Sequence, residues 1–299
     1  MPAPSRCSAH GSLDDPLDMV VSPARLLEQL EALSAEYTIV PANEIHLRRQ
    51  RPSAAITFDD GYVNNLSVAV PILLDAGLPA TFFVTSDPLY GAAEFWWDRL
   101  AHAVDRAPID AKLAVRSGRL RRRVTLRFET EHMRRQSLLS LSEAMMGRPV
   151  SFIEDTVSSV QALSGNCGSV PECERHRRMS AAQVATLAEE ALFDVGSHTC
   201  SHPPLAALPD HECRRQVQES RGRLAEVLGH PPALFAYPYG RRGSMRRRDV
   251  SEVSAAGHTM AFTNERGGVE PDRDLLTVPR IAVASWPADA FLGWLRRWT

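Results

Sequence analysis

Two short stretches carry residue types that could do chemistry. In "AAITFDDGY", residues 54–62, an apolar run ends in Asp59 and Asp60, followed by Gly61. Adjacent carboxylates repel each other and are costly to bury. Their place at the end of a buried-strand pattern therefore calls for a compensating charge. "VGSHTCSH", residues 195–202, supplies His198 and His202. Two imidazoles and one carboxylate make a three-ligand set that leaves positions open for water and substrate on zinc or a similar divalent ion. A bound cation would also offset the repulsion between the carboxylates. Pro203 and Pro204 follow His202 directly, so a continuing helix is disfavoured and the histidines belong to a loop. An HxxxH spacing or a DD before glycine is common on its own. The two together, each after a strand, are far more specific.

The elements that must position these residues are readable from periodicity. "PARLLEQLEALSA", residues 23–35, places Leu26, Leu27, Leu30 and Leu33 on one helical face, with Ser22 as N-cap and Pro23 in the first turn. "YTIVPA" and "AAITF" read as strands. "NNLSVAVPILLDAG" reads as a helix closing at Gly77, and "ATFFV" as the next strand. Strand, helix, strand with short connections is a βαβ unit and predicts a parallel sheet. The rhythm resumes with helix "AAQVATLAEEA", strand "FDVGSH", helix "DHECRRQVQESRGRLAEVLG" and strand "ALFAYPYG". Helix "RRDVSEVSAAG", strand "TMAFTN" and a last strand "LTVPRIAV" complete it. Both halves of the constellation thus sit at C-terminal strand ends, where barrel active sites are built. Residues 87–179 break the rhythm. They run through the amphipathic helix "PLYGAAEFWWDRLAHAVD", the basic "RSGRLRRRVTLRF", the helical "HMRRQSLLSLSEAMM" and the loop "LSGNCGSVPECERHRRMS". We read them as a large, mostly helical insertion in one catalytic domain spanning 1–299.

"TFDDGY", "HTCSH" and "FAYPYG" resemble three motifs of the polysaccharide deacetylases, the NodB-homology or carbohydrate esterase family 4 group. The resemblance covers most of the chain outside the insertion. It implies an α/β fold, a distorted (β/α) barrel of about seven parallel strands, and removal of acetyl groups from N-acetylated sugars with a divalent metal. It implies Asp59 as general base, with Asp60, His198 and His202 as metal ligands. The metal lowers the pKa of its water towards about 7, and Asp59 takes the proton as that water attacks an amide carbonyl. The oxyanion donor in the family is the backbone N–H of the tyrosine in the third motif, which matches Tyr239.

Two departures stand out. Many members carry an arginine in the third motif that pairs with the catalytic aspartate, whereas Ala236 stands at that position here. Arg280, in "TVPRIAV", is the candidate to hold Asp59 instead. Many members also carry an acid histidine near the C-terminus. A subgroup that includes the exopolysaccharide poly-N-acetylglucosamine deacetylases places it near the N-terminus, and His10 resembles that position. It would protonate the leaving amine. Trp96, Trp97 and Tyr62 are candidates for substrate binding, and Arg241 and its neighbours could meet a phosphate on the substrate. Cys200, between the histidines, reads as a small packing residue.

Composition bounds the alternatives. The 299 residues suit one α/β barrel, which commonly needs about 250. Hydrophobic content of 44% and charged content of 23% are those of a globular chain. A net charge of −2 offers no basic excess for nucleic acid. Lys112 is the only lysine, which argues against Schiff-base chemistry. The five cysteines show neither a disulfide framework nor a CxxC pair. The N-terminal "MPAPSRCSAHGSLDD" has no apolar signal region and no run approaches 18 apolar residues, so a cytoplasmic location without a transmembrane span is expected. The expected function is metal-dependent removal of an N-acetyl group from an amino sugar, such as a nucleotide- or lipid-linked precursor or a glycosylated small molecule. The metal is zinc, with cobalt, nickel, iron or manganese as alternatives. Deformylation or deacylation of a non-sugar amide is a second reading, and an inactive sugar-binding protein a third. Oligomeric state is not written in these residues.

Overall fold

A computed structural model describes residues 20–90, 94–111, 113–116, 123–146, 148, 150–163, 176–270 and 272–298. Ser22 accepts a hydrogen bond from the Arg25 N–H and Pro23 opens α1, Pro23–Glu36. Strands β1 (Thr38–Ile39), β2 (Ser53–Ala54) and β3 (Ile56–Phe58) follow. A wide turn over Asn65–Ala69 feeds α2 (Val70–Ala76), which Gly77 ends in the left-handed region at φ 63°. Strand β4 is Ala80–Val84. Then come α3 (Trp96–Arg106), β5 (Leu113–Arg116), β6 (Arg123–Leu126), α4 (Glu131–Met145) and α5 (Val150–Leu163). Helix α6 (Ala181–Ala188) starts at a capping box in which Ser180 and Gln183 satisfy each other's backbone N–H. The chain continues through β7 (Phe193–Ser197), α7 (Asp210–Leu228), β8 (Leu234–Ala236), α8 (Arg247–Ala255), β9 (Met260–Phe262) and α9 (Ala288–Leu295).

These elements fall into two compact units. The larger, Val20–Ala93 with Arg177–Thr299, carries a curled five-stranded parallel sheet in the order β3-β4-β7-β8-β9, a distorted (β/α) half-barrel. All five residues of β4 are buried, as a central parallel strand covered on both faces requires. Leu73, Phe82, Val84, Val184, Leu187 and Leu224 form its main core. Gly61 leaves the first strand end at φ 81°, and Met179 and Val63 hydrogen-bond across to Gly61 and Arg177. The smaller unit contains Glu94–His176, with Leu100, Val104, Phe128, Leu138, Leu141 and Val160 at its centre.

Three readings of local structure change. "AAITF" is divided between two sheets: β2 pairs with β1 in a two-stranded parallel ribbon, and only Ile56–Phe58 joins the main sheet. "LTVPRIAV" is not a strand. Leu275–Thr277 is a 3-10 turn, and Val278 makes a single bridge to Phe262. Pro279 has no N–H to continue the ladder. Within 87–179, β5 and β6 pair antiparallel where no strands were expected, and α5 is a helix that the sequence pattern did not single out. Among the described residues no helix is long and apolar enough to cross a membrane.

Candidate active site

The site gathers at the C-terminal ends of the main sheet. Asp59 and Asp60 follow β3, His198 follows β7, Tyr239 lies three residues past β8, and Thr263 and Asn264 follow β9. Among the described residues, the non-glycine residues in the left-handed region are Asp60, Thr199, His202 and Tyr239, at φ 74°, 67°, 61° and 61°. Such backbone costs of order 1–3 kcal/mol per residue and persists where the surroundings over-determine it. Three of the four are residues singled out from sequence, and Thr199 lies between the two histidines.

Asp60, His198 and His202 converge. The Asp60 Oδ1 lies 3.5 Å from Nε2 of His198 and 3.3 Å from Nε2 of His202. That oxygen is buried without a hydrogen-bond partner among the described residues. Ligand atoms each about 2.1 Å from a tetrahedral ion stand roughly 3.4 Å apart, so an orphaned carboxylate oxygen facing two imidazole nitrogens at these distances fits a divalent cation. His198 Nδ1 lies 2.7 Å from the Ala236 carbonyl. That contact makes Nδ1 the protonated nitrogen and leaves Nε2 with its lone pair towards Asp60. Burial pushes the His202 imidazole down to about 4, which keeps it neutral and able to ligate. Burial also opposes charge on His198, but the Asp59 and Asp60 carboxylates outweigh it and raise its pKa.

Asp59 has a different neighbour. Arg280 donates to both of its oxygens, at 2.7 Å each. Burial alone would raise the Asp59 pKa; the guanidinium, with His198 and His202, overrides that and lowers it to about 2. The remaining Arg280 donors reach the Thr263 carbonyl at 3.0 Å, Thr57 Oγ1 at 3.1 Å and Asn264 Oδ1 at 3.1 Å. All five N–H donors of the guanidinium are therefore engaged.

Residues that sequence reasoning missed hold the loops. Gln216 on α7 accepts from the Cys200 and Ser201 N–H groups at 3.0 and 3.1 Å. Ser220 donates to the Thr199 carbonyl at 2.9 Å, and the Thr199 hydroxyl accepts from the His202 N–H at 3.1 Å. Thr85, just past β4, donates to the Asp60 carbonyl at 3.1 Å. A signal was present: Gln216 and Ser220 lie on the buried face of α7 with Cys213, Val217 and Leu224, where an amide and a hydroxyl need partners.

The other candidates are placed as follows. The Tyr239 ring meets His202 edge-on at 4.8 Å between centroids. Tyr62 forms an antiparallel bridge with Arg178. Arg241 and Arg242 are exposed, and no carboxylate among the described residues pairs with them. Trp96 packs on the core of the smaller unit, and Trp97 stacks on Phe95 at 4.0 Å. Cys200 is buried, and its thiol is pushed up to about 11 by burial, as a packing residue would be. His10 lies outside the described residues.

The sequence profile of the polysaccharide deacetylases matches residues 46–110 and 157–261, more than half of the chain. No curated protein matches. Among solved structures, the deacetylase PplD of Streptococcus pyogenes in complex with acetate is 14% identical at a TM-score of 0.57, over 98% of this chain and 92% of that one. IcaB from Ammonifex degensii is 18% identical at 0.56, over 91% and 88%. A de-N-acetylase from Aggregatibacter actinomycetemcomitans is 14% identical at 0.52, over 91% and 90%. At these identities the likeness is one of fold.

Proposed function

The chain belongs to the polysaccharide deacetylase family, and from that premise we propose that it hydrolyses the N-acetyl amide of an amino sugar with the help of a divalent cation. The observation that carries this reading is the division of labour between adjacent carboxylates: Asp60 faces two imidazoles, while Asp59 is gripped by a guanidinium. Asp60, His198 and His202 would hold the cation. Zinc suits this donor set best. The cation would supply Lewis acidity to the amide carbonyl and to the attacking water.

The chain's own groups do the rest. Asp59 is ionised throughout the physiological range and accepts the proton of the attacking water. Arg280 holds it in that ionised form, and a cation at Asp60, His198 and His202 would make the proton of the attacking water easier to remove. Arg280 fixes the direction of that carboxylate. The Tyr239 N–H is assigned to the developing oxyanion, and His10 to protonation of the leaving amine. Residues 87–179 are read as an insertion in a single catalytic domain, and Trp96, Trp97 and Tyr62 as sugar contacts. Arg241 is read as a contact for an anionic group on the substrate, such as the phosphate of a nucleotide- or lipid-linked sugar.

The test is product analysis on the zinc-loaded protein with N-acetylglucosamine oligomers and N-acetylglucosamine 1-phosphate. Release of acetate supports the reading. Release of formate from an N-formyl sugar, with the acetyl substrate untouched, would replace it by deformylation. Retention of bound sugar with no product would make the chain a binding protein.

A further inference from the structure

Asn264 lies two residues past β9, beyond the residues that the family profile matches. Its side chain makes two bonds of opposite sense. Oδ1 accepts from Arg280 Nη2 at 3.1 Å, and Nδ2 donates to the Tyr239 carbonyl at 3.2 Å. Its own N–H donates to the Gly240 carbonyl at 2.8 Å. Arginine only donates and a carbonyl only accepts, so one orientation of the amide satisfies both neighbours. Aspartate at this position would lack the donor, and alanine both groups. Gly240 shows how close the turn lies: it sits at φ 52°, and a Cβ there would be 2.5 Å from the Asn264 nitrogen.

We propose that Asn264 is a positioning residue that locks two parts of the reaction centre together. One part is the guanidinium that aims Asp59; the other is the left-handed turn that presents the Tyr239 N–H. The proposal rests on the deacetylase reading above. The logic is geometric. The base and the oxyanion donor act on opposite sides of one carbonyl carbon, so their separation must be held to a fraction of an ångström. They sit on loops after different strands, β3 and β8, which do not pair with each other. Arg280 joins the first loop to the end of β9, and Asn264 joins that end to the second loop. Without the amide, the Arg280 Nη2 loses this acceptor and the Tyr239 carbonyl loses this donor.

The test compares the zinc-loaded wild type with Asn264→Ala and Asn264→Asp in the full chain, using acetate release from an N-acetylglucosamine pentamer. Asn264→Ala should lower kcat by about 10- to 100-fold, the scale of losing an oriented oxyanion donor or misplacing a group by 1 Å. KM and zinc affinity should stay within about twofold, because neither Asp60 nor the histidines touch Asn264. Asn264→Asp should be at least as impaired as Asn264→Ala. It has nearly the native shape, but its charge competes with Asp59 for Arg280 and it cannot donate to Tyr239. A purely structural role would rank it above alanine instead. Gly240→Ala should reproduce the kcat loss from the other side of the contact, which covers the case that an Asn264 variant fails to fold. A kcat within twofold of wild type for a folded Asn264→Ala, or full activity of Asn264→Asp, overturns the proposal. Crystal structures of the wild type and Asn264→Ala give a readout independent of turnover. An unmoved Tyr239–Gly240 turn overturns the tie even if the pentamer proves not to be a substrate. A displaced turn in a protein that releases no acetate would fault the deacetylase reading alone.

Discussion

Asp59 and Asp60 are chemically identical neighbours, and their surroundings make them different. The Asp60 backbone is left-handed at φ 74°, which turns its carboxylate towards the histidines, while Asp59 meets a bidentate arginine. Substitution Asp59→Asn keeps the shape and removes the charge. It should abolish turnover, by roughly 100-fold or more for loss of a general base, while zinc content measured by elemental analysis is unchanged. Normal hydrolysis by that variant would refute the assigned base. Arg280→Lys is a sharper probe of aim. Lysine is a point charge with three donors and no fork, so it can neutralise Asp59 but cannot fix its plane. A drop in kcat of about 10- to 100-fold with folding retained is expected; a variant as active as wild type would mean that only the charge matters. His10→Ala tests the proposed acid. Its loss should be greatest with a poor amine leaving group and small with an activated aryl acetate, and equal losses on both would remove His10 from the mechanism.

At the scale of elements, α7 carries more of the site than its polar sequence suggests. Gln216→Ala would strand the Cys200 and Ser201 N–H groups of the histidine loop. The expected cost is about 1–3 kcal/mol in urea denaturation, with zinc affinity weakened about 10- to 100-fold by calorimetry, as for other groups that orient ligands. Gln216→Glu keeps the acceptor but sets a buried carboxylate against Glu212, 3.4 Å from the Gln216 Nε2, and should recover little of either. The cluster of Asp60, His198 and His202 and the sheet were legible in the sequence because strict residue types follow apolar runs: "ITFDDG" and "FDVGSH" mark both the strand and the polar residues at its end. Supporting residues such as Gln216, Ser220 and Asn264 were not legible, because their partners are backbone groups far away in sequence, and one chain does not reveal which carbonyl will face which amide. Arg280 was singled out by the vacancy at Ala236. The strand expected to carry it failed for a local reason, Pro279, yet the arginine still reaches Asp59, since its own N–H is held by the Glu265 carbonyl. The strand pair β5–β6 was hidden because each strand is only four residues long, too short for a clear alternation.

At the scale of the whole molecule, a small net charge conceals uneven fields. Global stability should itself depend on pH through His258, buried at the joint between α8 and β9 with its pKa pushed down to about 4 by burial and then by Arg221. Between pH 6.5 and 4 the unfolded chain binds a proton there and the native chain does not, so stability falls as pH falls through that window. The share of this one group at pH 5 relative to pH 7 is about 2 kcal/mol, read from urea midpoints as the amount by which the pH dependence shrinks in a folded His258→Phe. Charge is also uneven near the site. Net charge is −2, yet residues 231–248 contain five arginines and no acid. Arg248 of that run pairs with Asp210 and Asp249, whereas Arg241, Arg242 and Arg247 have no carboxylate partner among the described residues. The first of these arginines, Arg241, lies two residues after Tyr239, whose ring meets that of His202. Uncompensated cations at such a place raise the local concentration of an anionic substrate, and salt screens the effect over about 10 Å at 0.1 M. The double variant Arg241→Glu/Arg242→Glu should therefore raise KM for N-acetylglucosamine 1-phosphate by about tenfold at low salt, a change of roughly 1.4 kcal/mol spread over two reversed charges. KM for the neutral pentamer should hardly move, and the difference between the two substrates should shrink in 0.5 M salt. Equal effects on both substrates would assign the arginines to folding or to the loop itself, and would leave the substrate of this site without a phosphate.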